Sequence, residues 1–337
     1  MKLRTLSKVA AATLLSIAFS AAAAADGPRV AAVGVTVADL DRSLEFFTGR
    51  LGFERRGAAV EASGPEWERL TGVFGARGRT ATVCLGDECL ELVDYLAPEG
   101  DPFPAGSRSN DRWFQHVAIV VSDMAEAYSR LVEAGVEHIS TAPQRLPEWN
   151  PNAGGIEAFY FRDGDGHALE LIAYPPGKGD PRWQAKDRLF LGIDHTAIAV
   201  ADTEASLAFW RSALDLEVAG ASENWGPEQE RLNNVFAARL RITGLRAPGG
   251  GIGVEFLEYL APSDGRDAPR DLASNDLAHW QVRLAVDDPE REAADARRGG
   301  GRWVSPGSVE LADRRLGYGR GALVRDPDGH GVLLSAD

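Results

Sequence analysis

The chain has 337 residues, 36 Lys plus Arg against 50 Asp plus Glu, a formal net charge of −14, 44% hydrophobic residues and two cysteines. That length accommodates about two domains, and abundant Leu, Ile, Val and Phe without low-complexity runs exclude a disordered, collagen-like or coiled-coil chain. The acidic balance repels phosphate backbones and anionic lipids, which disfavours nucleic acid and membrane surfaces and leaves a small molecule as the expected partner.

Residues 1–25 read as a signal peptide. Lys2, Arg4 and Lys8 form a basic start, Val9–Phe19 is apolar, and Ala23-Ala24-Ala25 before Asp26 is a small-residue cleavage site. The apolar stretch falls short of the roughly 20 residues a spanning helix needs, so the expected mature protein is periplasmic or secreted and free of the membrane after cleavage. Next, Val33–Val37 reads as a strand, Asp39 as a helix cap, and Leu40, Leu44, Phe47 and Leu51 as the apolar face of the helix that follows. Glu68-Arg69-Leu70 opens a helix-like stretch whose apolar face is Leu70, Val73 and Phe74. Cys84 and Cys89 flank a hairpin-like connection between Arg79–Leu85 and Glu88–Leu96, where they form either a disulfide or two buried thiols.

A second strand and helix follow at Val117–Val121 and Asp123, with Met124, Tyr128 and Leu131 at helical spacing. A long polar loop containing Trp149-Asn150-Pro151-Asn152 precedes Phe159-Tyr160-Phe161, and Asp163-Gly164-Asp165-Gly166-His167 reads as a structural turn before a final strand. The order then repeats. GPEWERLTGVFGAR at 64–77 recurs as GPEQERLNNVFAAR at 226–239, SLEFF at 43–47 as SLAFW at 206–210, YLAP at 95–98 again at 259–262, and RDGDGH at 162–167 as RDPDGH at 325–330. The chain therefore divides into a leader at 1–25, a first half at 26–177, a Pro/Gly-rich linker at 178–187 and a second half at 188–337. Each half holds two modules of strand, helix and about three further strands, which predicts an α+β protein of curved, largely antiparallel sheets with helices on the outer face.

The strand-Asp-helix openings, as in His116–Asp123, and the closings Phe161–Leu171 and Val324–His330 resemble the vicinal oxygen chelate superfamily, the glyoxalase, bleomycin-resistance and extradiol dioxygenase type. The resemblance covers nearly all of the mature chain. It implies four tandem βαβββ modules that pair into cups, each cup carrying a divalent metal held by one residue from the first strand and one from the last strand of each module. Seven residues before Asp39, Asp123, Asp202 and Asp288 stand Ala32, His116, His195 and Gln281. His279 lies on the same strand face as Gln281, but matching Ser109-Asn110-Asp111 to Ser274-Asn275-Asp276 favours Gln281. The corresponding last-strand residues are Glu91, Glu170, Glu255 and Leu333. Pairing within halves would leave both sets incomplete. Pairing across halves, as in glyoxalase I-like proteins, unites His116, Glu170, His195 and Glu255 from modules two and three and leaves Ala32, Glu91, Gln281 and Leu333 to a decayed cup.

Two imidazoles with two carboxylates suit one divalent Zn, Ni, Co, Mn or Fe ion. Glu170 is the first candidate for a proton-shuttling base, with Glu255 opposite it. The resemblance thus implies a metal-dependent enzyme, monomer or homodimer, with glyoxalase I-like lyase or isomerase chemistry (proton transfer next to a metal-bound carbonyl or enediolate), and the leader adds the expectation that it is exported. Two alternatives stand beside it. One is an extradiol-type ring-cleaving dioxygenase, against which Leu333 occupies a ligand position in the last module. The other is a non-catalytic small-molecule binding protein of the bleomycin-resistance type. Trp149 and Asn150 in the long loop, and Arg69 and Arg231 on the repeated helix-like stretch, are candidate substrate contacts, the arginines alternatively forming surface ion pairs.

Overall fold

The computed structural model describes residues 27–337; the leader read at 1–25 lies outside the described residues. Module one comprises β1 (Arg29–Val37), α1 (Leu40–Leu51), β2 (Glu54–Ser63), α2 (Pro65–Thr71), β3 (Arg77–Leu85) and β4 (Glu88–Ala97). Module two comprises β5 (Gln115–Val121), α3 (Met124–Glu133), the two-residue strands β6 (Glu137–His138) and β7 (Gln144–Arg145), then β8 (Glu157–Arg162) and β9 (Ala168–Ala173). Module three repeats the first as β10 (Phe190–Val200), α4 (Thr203–Trp210), β11 (Glu217–Trp225), α5 (Pro227–Asn233), β12 (Arg239–Arg246) and β13 (Gly253–Ala261). Module four repeats the second as β14 (Trp280–Ala285), α6 (Pro289–Arg298), β15 (Arg302–Trp303), β16 (Val309–Glu310), β17 (Arg320–Arg325) and β18 (Gly331–Ala336).

The four long-helix starts share one device. Asp39, Asp123, Asp202 and Asp288 each leave their strand in extended conformation and accept backbone N–H bonds from the first helical turn. The short helices α2 and α5 begin on Pro at their first turn and end at left-handed Gly72 and Asn234. This early stop corrects one expectation. Phe74 lies beyond the end of α2 and is 92% exposed, so it is not part of that helix's apolar face.

Strands of the two halves interleave. One nine-stranded sheet runs β15-β17-β18-β14-β1-β4-β3-β2, with β16 beside β17, and therefore joins module four to module one. The other runs β11-β12-β13-β10-β5-β9-β8-β6, with β7 beside β8, and joins module three to module two. At each centre the first strands of two modules pair antiparallel, β1 with β14 and β10 with β5, while each also pairs parallel with its own module's last strand. The convex faces of both sheets and the helices α1, α3, α4 and α6 contribute to a single apolar cluster, which includes Val35, Leu44, Phe47, Ile119, Leu131, Ile198, Trp210 and Leu284. That shared core fuses the halves into one body. No helix among the described residues is long and apolar enough to cross a membrane.

The repeated Asp-His turns are clasps between the sheets. Asp163 accepts the Asp165 and His167 backbone N–H groups, while His167 sets Nδ1 2.8 Å from the Asp163 carboxylate and Nε2 2.9 Å from the Thr36 carbonyl of β1. Asp326 and His330 repeat the turn, with His330 Nε2 2.9 Å from the Ala199 carbonyl of β10. Asp165 and Asp328 extend the clasp by accepting the Ala38 and Ala201 N–H groups. In the β3–β4 hairpin, Cys84 and Cys89 face each other directly and form a disulfide.

Both His167 nitrogens face acceptors, so the satisfied form of the ring is the cation. Burial works against that charge, but the Asp163 carboxylate outweighs it and raises the His167 pKa above its usual value, while Asp163 is itself held low by the imidazolium. A raised folded-state pKa means that the stabilisation is complete below the unfolded value of about 6.5 and is lost as pH rises through the folded value. His167→Ala should therefore cost about 3 kcal/mol near neutral-to-acidic pH and less in alkali. Urea unfolding across pH checks this, and an equal loss at every pH would refute the charged-pair account.

Candidate metal centre

The concave face of the second sheet is assembled from four adjacent strands in the order β9, β5, β10, β13. Residues two apart on a strand share a face, and the register exploits this. Glu170 on β9 and His195 on β10 both lie opposite Ala118 of β5, while His116 of β5 and Glu255 of β13 both lie opposite Ala197 of β10. The two alanines occupy the centre of the quartet and leave space over the cup floor.

All four predicted ligands meet there. Glu170 Oε2 lies 3.0 Å from His116 Nε2 and 3.5 Å from His195 Nε2, and Glu255 Oε2 lies 3.5 Å from His195 Nε2. The imidazole centroids are 5.7 Å apart. One ligand atom from each of His116, Glu170 and His195 fits within a 4.8 Å group. His116 Nε2 and His195 Nε2 are buried and have no aligned hydrogen-bond partner. Such orphaned nitrogens, converging with carboxylate oxygens at near-contact distance, fit a shared divalent cation better than a self-satisfied core network.

A supporting residue was not found in the sequence. Strand alternation would send Asp194 and His195 to opposite faces, but a register shift between Ile193 and His195 brings Asp194 Oδ2 to 2.9 Å from His195 Nδ1. Asp194 is held in turn by Arg246 Nη2 at 2.9 Å and by Trp183 Nε1 at 3.1 Å. This carboxylate fixes the tautomer that presents Nε2 to the cup. Trp183 comes from the linker, which is therefore structural in its own right. Its neighbour Arg182 stacks over the indole at 3.9 Å and bonds Glu88, whose other oxygen accepts the Ile193 N–H.

The electrostatics follow from burial and partners. Desolvation pushes the Glu170 carboxyl up, but the two facing imidazoles outweigh it and hold the group below its usual range. Desolvation also works against protonated His195, yet Glu255, Asp194 and Glu170 hold its pKa well above the ordinary value. His116, with Glu170 alone to oppose desolvation, is held low, and Glu255 is raised by burial. Glu255 is the more accessible carboxylate, its side chain 25% exposed against 6% for Glu170.

Above the quartet lies a cavity of about 560 Å³ bounded by Tyr160 and Tyr174, by the Pro151–Ala153 loop, by α5 and by the linker at Lys178. The Tyr160 ring sits 4.7 Å from His116 and directly opposite Glu170 in register. The candidate substrate contacts are placed differently. Asn150 is buried, and its amide is used to tie the loop to Asn224 and to accept the Asn152 and Ala153 N–H groups. Its neighbours Pro151, Asn152 and Ala153 form the cavity wall in its place. Trp149 is half exposed and stacks on Trp225 with centroids 4.5 Å apart. Arg69 is exposed beside Glu66 at 3.8 Å on the rim of the other cup. Arg231 is also exposed; the α5 residues that reach the cavity are Gln229 and Leu232. Helical spacing puts these inward residues on the face opposite Arg231.

The first sheet carries the second cup. Gln281 stands opposite Gly34 as His116 stands opposite Ala197, which makes Gln281, not His279, the counterpart of His116. Ala118 is replaced there by Arg283, whose Nε lies 2.8 Å from Glu91 Oε1. A guanidinium thus neutralises the one retained carboxylate, and Tyr318, Trp67 and Leu333 fill the space down to cavities of about 20 and 40 Å³. Arg283 lies two residues beyond Gln281, so alternation alone could have identified it.

A family model described as the Glyoxalase/Bleomycin resistance protein/Dioxygenase superfamily matches residues 29–171 and 192–334, and the chain belongs to that superfamily. Over 149 residues, 43% of this chain and 79% of the relative, it is 34% identical to a 2-epi-5-epi-valiolone epimerase from Actinomyces sp. Its fold is similar to that of glyoxalase I from Zea mays, with a TM-score of 0.58 and 17% identity over 92% of each chain. It is also similar to a Bacillus subtilis protein proposed to be a dioxygenase, with a TM-score of 0.53 and 12% identity over 92% of this chain and 85% of that one.

Elemental analysis after metal repletion should find about one divalent ion per chain. His195→Ala should abolish binding, Asp194→Asn should weaken it about 10- to 100-fold, and Glu91→Ala should leave it unchanged. Loss of metal with Glu91→Ala would place the ion in the wrong cup.

Proposed function

We propose that this protein is a metal-dependent isomerase or lyase of the glyoxalase I type, which moves a proton at a carbon next to a carbonyl in a small molecule. The observation that carries this reading is the His116, Glu170, His195 and Glu255 quartet, in register on one sheet face beneath a cavity of about 560 Å³. The epimerase relative supports it, because an epimerase inverts a stereocentre.

A divalent ion held by these four residues would polarise the substrate carbonyl as a Lewis acid. The chain's own groups divide the remaining work. Glu170 lies against both imidazoles and is almost fully enclosed, which suits a fixed ligand. Glu255 approaches one imidazole and is more accessible to the cavity. Geometry therefore favours Glu255 over Glu170, the first candidate from the sequence, as the group that takes the proton and returns it. Asp194 keeps His195 in a single tautomer, and Tyr160 closes the floor beside His116.

A second reading is favoured by the tightness of the His116, Glu170 and His195 trio. Two imidazoles and one carboxylate are the ligand set of non-haem iron oxygenases, and cross-half pairing removes the objection raised by Leu333, which lies in the other cup. Glu255 separates the readings. As proton carrier, Glu255→Gln should retain metal yet lower solvent-deuterium exchange into α-hydroxycarbonyl compounds by about 100-fold or more. Oxygen consumption with catechols, indifferent to Glu255→Gln, would instead establish the dioxygenase.

The basic, apolar and small-residue pattern of residues 1–25 supports an exported protein, and the Cys84–Cys89 disulfide suits an oxidising compartment. Export and cleavage predict an N-terminal sequence beginning at Asp26 in protein recovered from the cell envelope or medium.

A further inference from the structure

The first strands of the two cups carry the same bulge and hold it by different means. β1 shifts register between Val30 and Ala32, and β10 between Ile193 and His195. Counted back from the helix caps Asp39 and Asp202, Val30 corresponds to Ile193, Ala31 to Asp194 and Ala32 to His195. At the start of each bulge one backbone N–H is bonded across to the other half. In the closed cup the Val30 N–H donates to the Gly250 carbonyl at 3.1 Å. In the open cup the Ile193 N–H donates at 3.3 Å to the carboxylate of Glu88, which reaches over from the β3–β4 hairpin of module one. Glu88 stands three residues before Glu91, and Ile252 stands three before Glu255, so the carboxylate belongs to one repeat alone.

A backbone carbonyl meets the structural need in the closed cup, whereas a buried carboxylate is the more costly acceptor unless its charge is used. Glu88, 5% exposed, uses that charge on the linker. Its Oε1 lies 2.6 Å from Arg182 Nη1, the Arg182 guanidinium stacks over Trp183, and the Trp183 indole donates to Asp194 at 3.1 Å. Gly192 lies inside this clamp. A Cβ there would come within 2.7 Å of Glu88 Oε2 and 2.8 Å of the Trp183 ring, so the clamp closes on bare backbone. One carboxylate thus fixes both the backbone leading into Asp194 and the indole that holds the Asp194 side chain against His195. The closed cup has Ala31 at the place of Asp194, and there the bulge aims no carboxylate.

Resting on the reading of the quartet as a metal-holding active site, we infer that Glu88 is a positioning residue for His195. It acts through Asp194, by clamping the β10 bulge and the Trp183 indole. Module one, whose own cup is filled, thereby serves the cup built by modules two and three.

The test is cobalt titration of the full chain, combined with the paramagnetically shifted, exchangeable imidazole N–H signals of the loaded protein. Glu88→Ala should weaken cobalt binding about 10-fold, as changes to groups behind metal ligands do. In an Asp194→Asn background it should cost nothing further, because the two residues act in series. The imidazole signal that exchanges faster in Asp194→Asn, that of His195, should also exchange faster in Glu88→Ala, while that of His116 stays as in the native protein. Unchanged affinity, additive losses in the double variant, or equal acceleration of both imidazole signals would overturn the inference, the last two being the marks of a generally loosened fold. Should Glu88→Ala fail to fold, Glu88→Gln goes through the same cycle under the same criteria, since it keeps an acceptor for Ile193 and loses the ion pair with Arg182. Failure of the native chain to take up cobalt defeats the active-site reading and this inference together, whereas cobalt uptake indifferent to Glu88 defeats this one alone.

Discussion

The antiparallel pairing of β5 with β10 is the contact on which the site depends. Each strand comes from a different half, and each brings one imidazole and, through its parallel neighbour, one glutamate. Neither half alone could complete the quartet. Because side chains alternate along a strand, a slip of one residue would turn His116 and His195 into the apolar core and aim Val117 and Thr196 at the cup. The buried residues Val117, Ile119, Ile193 and Ile198 on the two strands make that slip costly, so the packing of the convex face fixes the chemistry of the concave one.

Charge explains why the two cups diverged without unfolding the protein. A cup that retains glutamates in a water-poor floor must also retain a cation. In the second sheet two imidazoles face the two glutamates, and the cluster could hold an ion. In the first sheet Arg283 supplies a covalent positive charge against Glu91, and Tyr318 and Leu333 occupy the volume that substrate would need. In the first sheet, side chains thus stand both beside the retained carboxylate and in the space that lies open in the second.

Interlocking carries the remaining order. The Asp163-His167 and Asp326-His330 turns each reach from one sheet to the strand-helix junction of the other, so both cups share one frame. A second route leads from the β3–β4 hairpin through Glu88 to Arg182, Trp183 and Asp194, and so to His195. The hairpin that bears the Cys84–Cys89 disulfide belongs to the first sheet, yet it braces a ligand in the second. Together these contacts connect the linker to the cup-facing His195.

Repetition made much of this legible in the sequence. The four Asp caps, the duplicated GPE segments and the fixed distance from each cap to a first-strand residue determined the module count, the helix starts and the four positions that meet on the cup floor, because capping and strand alternation act within a few residues. The rim residues were not legible in the same way. Arg69 and Arg231 carry the charges that suggest binding, but helix rotation turns them to solvent and brings Gln229 inward, and Asn150 is consumed by its own loop. Asp194 was hidden by a bulge that breaks the alternation from which its direction would be read. The repeat-equivalent residues already pointed to cross-half pairing and to the cup that keeps its side chains, whereas tertiary structure selected that pairing over the within-half alternative and decided which groups support the cup residues. Those outcomes depend on contacts between residues far apart in the chain, where the burial of one apolar core selects among pairings that local sequence leaves equivalent.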